Sequence, residues 1–113
     1  MAIKYMFNRD QVGDIKEIAD ELTAKLKIIR ANLVYDEKIG DHTQLLWYEK
    51  YYMRGKGTVL LSVTITQESN RQIVILVGGG GGKGLLEDTV YGSVDDLIGT
   101  ARMILIKQGF VQY

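Results

Sequence analysis

Lys83 stands in a run of bare backbone, Val77 to Leu85, which reads V-G-G-G-G-G-K-G-L and holds six of the chain's thirteen glycines. A lysine among exposed N–H groups is the material of a phosphate cradle. The phosphate-binding loop needs G-x-x-x-x-G-K-[ST] leading into a helix. Counting back from Gly82-Lys83, the first required glycine falls on Val77 and the required hydroxyl falls on Gly84, so the motif fails at both ends. The residues that follow also read as a strand, which has no helix dipole to aim at an anion. Glycine costs roughly 0.5 to 1 kcal/mol against alanine where backbone is held still. Three readings stay open: a mobile hairpin loop, close packing against another chain, or an anion or ligand cradle in which Gly80 supplies backbone and Lys83 supplies charge.

A second group with chemical potential is the aromatic strand Leu45 to Met53, with Trp47, Tyr48, Tyr51 and Tyr52 around Glu49 and Lys50. The glycine turn after it leaves two registers. With Gly55-Lys56 as the turn, residue 52 lies opposite 59, and Leu46, Tyr48, Lys50 and Tyr52 share the core face of Val59, Leu61 and Val63. With Gly55 to Gly57 as the loop, residue 53 lies opposite 59, and Trp47, Glu49, Tyr51 and Met53 share it. The three-residue loop is preferred, with Gly57 in the left-handed position. Glu49 is then expected inside, where a carboxylate finds partners or shifts its pKa upward. Either a tyrosine hydroxyl, Arg54 or water satisfies it near the sheet edge, or Glu49 with Trp47, Tyr51 and Tyr91 lines a small-ligand pocket.

His42, the single histidine, lies beside Asp41 and near Asp36 in a polar stretch. A metal site needs three or four converging ligands, so no metal ligand is assigned. A Ser-His-Asp arrangement has only His42 to use and no nucleophile-elbow pattern is present, so no catalytic residue and no cofactor are assigned.

The elements that position these groups follow from periodicity. Ile3, Tyr5 and Phe7 alternate as a strand, and Asn8 or Asp10 is expected to cap a helix from about residue 10 to about residue 29. Its stripe is Val12, Ile15, Ile18, Ala19, Leu22, Leu26 and Ile29, with Gly13 in the first turn. Leu33 and Tyr35 suggest a strand, Asp36 to Thr43 a polar connection, Leu45 to Arg54 and Thr58 to Gln67 two more strands. Ile73 to Val77 does not alternate, and a strand apolar on both faces is covered on both, here by a partner subunit. Leu85 to Tyr91 reads as a weaker strand ended by Gly92-Ser93. Ser93 with Asp96 resembles a capping box for a final helix that stops at Gly109. The expected fold is α+β: a curled antiparallel sheet of five or six strands on an N-terminal and a C-terminal helix, order β-α-β-β-β-β-β-α, one domain over residues 1–113.

Composition bounds the function. Fourteen basic residues cancel fourteen acidic ones, which argues against a general nucleic-acid binder. The chain has no cysteine, which removes disulfides, thiolate nucleophiles and Cys-ligated metals. No window approaches the length of a membrane span or signal peptide, so no membrane partner and a cytoplasmic location are expected.

The run Tyr48-Glu49-Lys50-Tyr51, then Gly55, Gly57 and Val59-x-Leu61-x-Val63-x-Ile65, with Gly78 to Gly80 and Gly92 as later landmarks, resembles a family of short bacterial proteins of unknown function, the one numbered 6054. The resemblance covers about residues 45 to 110 and implies no activity. The chain departs from it by having glycines where that family's loop has serines, and by Lys83, so no serine-dependent role carries over. The element order is also similar to the helix-grip arrangement of small lipid-binding proteins, in topology alone.

Two functions are expected from different classes. The first is a non-catalytic, self-associating domain, a homodimer or higher homo-oligomer, using the second face of Ile73 to Val77. The second is a small-molecule binding module with a pocket between sheet and C-terminal helix, lined by Trp47, Tyr51, Met53 and residues flanking the glycine loop. An enzyme ranks third.

Overall fold

The computed structural model describes residues 2–53, 57–80 and 87–113, the side chains of 87–92 excepted. The order is β1 (Ala2–Arg9), α1 (Ile15–Ile28), β2 (Asn32–Ile39), β3 (Thr43–Tyr52), β4 (Gly57–Gln67), β5 (Gln72–Gly80), α2 (Glu87–Lys107) and β6 (Val111–Gln112). All strand pairs are antiparallel, in the order β2-β3-β4-β5-β1-β6. The fold is therefore the expected α+β class, an open six-stranded sheet with an N-terminal and a C-terminal helix. Both helices lie on one face, α1 over β2, β3 and β4, α2 over β5, β4 and β1.

The inner face follows from alternation. Val59, Leu61, Val63 and Ile65 of β4 and Val74 and Leu76 of β5 are at most 1% exposed. They meet Ile18, Leu22 and Leu26 of α1 and Leu97, Ile98, Ala101 and Leu105 of α2 in one core. Removing such side chains from water contributes about 1.5 to 3 kcal/mol each.

Three expectations are corrected. Helix α1 starts at Ile15, capped by Asp14, whose Oδ1 accepts from the Lys16 amide at 2.9 Å. Residues 11–13 stay outside it, and Val12 is exposed. Their backbone is instead held by Gln67: Oε1 accepts from the Gly13 amide at 3.3 Å, and Nε2 donates to the Gln11 carbonyl at 3.1 Å. Asp36 to Ile39 extend β2 rather than form a connection. The strand read over Leu85 to Tyr91 is also corrected: residues 85 and 86 lie outside the described residues, and α2 runs from Glu87 through Gly92 and Ser93, so Ser93 is inside the helix rather than at its start. Val90 precedes Val94 by four residues, so the helical period of the sequence continues through a glycine that costs about 1 kcal/mol in a helix interior. The sixth strand is β6, which pairs with β1 as Asn8↔Val111 and Phe7↔Gln112.

The register of β3 on β4 is the fourth correction. Lys50 pairs with Val59, Tyr48 with Leu61 and Leu46 with Val63. This has the parity of the shorter-turn alternative, shifted by two residues; Arg54 to Lys56 lie outside the described residues. Leu46 and Tyr48 are buried inside, while Trp47, Glu49 and Tyr51 point away from the helices. The preferred register would have buried a carboxylate against aliphatic side chains, at a cost of several kcal/mol. The observed one buries a leucine and a tyrosine whose hydroxyl finds a partner.

The two helices end alike. At α1, the Arg30 amide donates to the Lys27 carbonyl at 2.9 Å and the Ala31 amide to the Leu26 carbonyl at 3.0 Å, with Arg30 at φ +66°. At α2, the Gly109 amide donates to the Ile106 carbonyl at 3.0 Å and the Phe110 amide to the Leu105 carbonyl at 3.1 Å, with Gly109 at φ +94°. Both are Schellman ends, which favour glycine at the left-handed residue. Nothing described lies within 4 Å of a Cβ built on Gly109, so the cost of a side chain there is conformational. Arg30→Gly is expected to stabilise the fold by about 0.5 to 1 kcal/mol, and Gly109→Ala to destabilise it by about 1 to 2 kcal/mol. Urea unfolding of both variants checks this pair, and equal signs for the two would contradict it.

Candidate functional site

Of the residues expected to line a pocket between sheet and helices, Trp47, Glu49, Tyr51 and Met53 have described side chains, and none of the four lies between the layers. Trp47, Glu49 and Tyr51 stand on the outer sheet face, and Met53 follows β3 fully in solvent. Gly80 closes β5, paired with Val59. Lys83 lies outside the described residues; Tyr91 is in the first turns of α2, its side chain likewise outside them. Gly78, Gly79 and Gly80 belong to β5 rather than to a loop.

Between sheet and helices, hydroxyls fasten the layers. Tyr48 is fully buried, and its Oη donates to Thr23 Oγ1 at 2.8 Å, since Thr23 itself donates to the Ala19 carbonyl at 2.8 Å. Burial pushes the Tyr48 phenol up to about 12. Tyr52 Oη donates to Asp96 Oδ2 at 2.9 Å, joining β3 to α2, and Lys50 Nζ lies 4.8 Å over the Tyr52 ring. Burial first, then the Asp96 carboxylate, raises the Tyr52 phenol. A phenol held neutral by burial is no base at neutral pH, so these groups are structural ties.

At the other end of the sheet a partly buried polar chain joins several elements. Arg9 Nε donates to Gln72 Oε1 at 2.7 Å, its Nη1 donates to the Gln108 carbonyl, and its guanidinium lies 4.5 Å over the Phe110 ring. Gln72, 1% exposed, donates through Nε2 to Gln67 Oε1 at 2.9 Å. The chain ties β1, β5, the β4–β5 hairpin and the end of α2. Burial lowers the Arg9 pKa, with Glu17 opposing.

Beside the start of α1 a cleft of about 530 Å³ is lined by Asp14, Lys16, Asp36, Lys38, Asp41, His42, Gln44 and Gln67. Three of its charged residues are engaged. Lys16 pairs with Asp20 at 2.8 Å, Gln44 Nε2 donates to Asp36 Oδ1 at 2.8 Å, and Asp14 caps the helix. No group of three or more His, Cys, Asp or Glu among the described residues is arranged to hold a metal.

The outer face is different in kind. Cross-strand registers define its rows: Tyr35, Trp47, Ser62, Val77 and Lys4; then Glu37, Leu45, Thr64, Ile75 and Met6; then Ile39, Thr43, Thr66, Ile73 and Asn8; and, beyond the first, Asn32, Glu49, Leu60, Gly79 and Ala2. Tyr35 and Trp47 rings stack with centroids 5.0 Å apart. An apolar depression of about 270 Å³ is lined by Leu60, Ser62, Val77, Gly79 and Gly80. Among the described residues, no helix covers this face. The sequence signal for it was the lack of alternation in Ile73 to Val77; what the sequence reading missed was that Gly79 belongs to the same face.

The Tyr48 contact has a pH consequence. Its folded pKa of about 12 lies above the ordinary 10, so its contribution is complete below pH 10 and is lost as pH rises from 10 towards 12. Urea midpoints of the wild type are expected to fall more steeply across that window than those of Tyr48→Phe. Parallel pH profiles would contradict it.

No helix among the described residues is long and apolar enough to cross a membrane. No curated protein and no solved structure matches the chain. Residues 4–107 match the model of a family of unknown function, DUF6054, and the chain belongs to that family.

Proposed function

We propose that the chain is a non-catalytic domain that self-associates, with the outer face of the sheet as its interface. The observation that carries the reading is the outer row of β5, from which Ile73, Ile75 and Val77 project, with Leu60 of β4 and Leu45, Trp47 and Met6 alongside. A contiguous apolar sheet face left in water is a liability, and covering it with a second sheet about 10 Å away is the usual solution for two antiparallel layers. A symmetric pair needs one surface only, and twofold dimers are the commonest closed assemblies. The depression at Gly79 is about 270 Å³, below the roughly 300 to 1,000 Å³ of typical ligand pockets. That size favours side chains of a second copy over a free small molecule.

Sedimentation velocity at tens of micromolar is expected to return a dimer. Ile75→Asp, which puts a carboxylate at the centre of the face, is expected to weaken association by about 100-fold or more while leaving the helical circular dichroism unchanged. A monomeric wild type at that concentration overturns the reading.

A further inference from the structure

The outer rows of β4 and β5 are size-complementary, residue by residue. Where β4 carries small polar side chains, Ser62 and Thr64, its neighbour β5 carries Val77 and Ile75. At the next row the sizes reverse: β4 carries Leu60, and β5 carries Gly79. Leu60 is 37% exposed, and among the described residues nothing lies within 4 Å of a Cβ built on Gly79. This glycine therefore has no steric reason within the described chain, in contrast to Gly78, where a Cβ would come within 3.1 Å of Val94 Cγ1. A glycine in a strand interior weakens it and marks a place where another group approaches closely.

From this complementarity, and resting on the self-association just proposed, we infer that the dimer axis runs along the strands between β4 and β5. Each copy then seats Leu60 in the depression at Gly79 of the other. Rotation by 180° about such an axis turns one sheet onto the other and exchanges β4 with β5 at constant row. Large then meets small at every central row: Leu60 over Gly79, Val77 over Ser62, Ile75 over Thr64. The alternative twofold, across the strands, lays β5 on β5 and sets Ile75 and Val77 of both copies in the same central strip, with no bulky group for the Gly79 depression.

Charge agrees with the first axis. The exchange also carries β1 over β3, so Lys4 of one copy arrives above the neighbouring Trp47 and Glu49 of the other. An ammonium over an indole and beside a carboxylate is favourable on both counts. Under the alternative axis β1 lies on β1 and the lysines approach each other. Aligned sheets cross at about 30°, so rows nearest the axis keep their pairing best.

The test is a size exchange, read by sedimentation equilibrium with a thermal melt of each variant as folding control. Leu60→Ala and Gly79→Leu are each expected to weaken the dimer by roughly tenfold or more. The double variant moves the bulk to the other strand and is expected to return to within about threefold of the wild type, a strong positive coupling. A wild-type dimer with Gly79→Leu undiminished, or with the double variant as weak as the two losses combined, overturns the inferred axis and leaves self-association standing. A monomeric wild type removes both. Should Gly79→Leu fail to fold, cross-linking decides, because the natural chain has no cysteine. With a short bismaleimide, Leu60→Cys is expected to cross-link both to itself and to Gly79→Cys, because the axis keeps the row and neighbouring strands are only about 4.8 Å apart across sheets about 10 Å apart; a dimer lacking either link overturns the axis.

Discussion

A β-sheet has two faces, and the described residues supply helices for one. That constraint organises the molecule. Strands β4 and β3 alternate because one side meets α1 and α2 while the other does not. Strand β5 breaks the rule: Val74 and Leu76 go under α2, and Ile73, Ile75 and Val77 emerge on the uncovered side. Turning any strand by one residue would exchange these sets wholesale, so the register of the sheet decides both what is core and what is surface.

The polar groups within the fold serve that register. Tyr48 is the largest fully buried side chain among the described residues, and its hydroxyl reaches Thr23 on α1, which places the helix against β3 with one directional bond. Arg9, Gln72 and Gln67 do the same at the opposite end, where the loop before α1, the β4–β5 hairpin and the end of α2 meet. A buried amide or guanidinium left without partners costs more than its bonds contribute, so such chains specify one arrangement and penalise others. The tyrosines, arginine and glutamines that a chemist would inspect first are occupied in this way.

The glycine stretch divides by face as well. Gly78 points at α2 and lets Val94 and Ile98 come close to the sheet, which a side chain would hold off. Gly79, one residue on, points the other way, with no described atom within 4 Å of a Cβ built there. Adjacent glycines thus answer two different requirements, one internal to the fold and one on its bare side. A reading of the run as a single loop hides that distinction.

Local chemistry made much of this legible from the residues alone: the α+β class, the amphipathic stripes of both helices, the buried face of β4 and the stop at Gly109 all follow from periodicity and glycine conformation. The boundaries that failed had local rivals of similar energy. Asp10 and Asp14 both offer a cap, and Gln67, more than fifty residues away, decided between them by binding the intervening backbone. The face of the aromatic strand was open for the same reason, since Trp47, Tyr51 and Met53 make as good an apolar row as Leu46, Tyr48 and Tyr52. Only tertiary structure broke that tie: one choice buries Glu49 without a partner, and the other gives the Tyr48 hydroxyl Thr23. A sequence determines which residues can share a face; which face meets the helices depends on contacts between elements far apart in the chain.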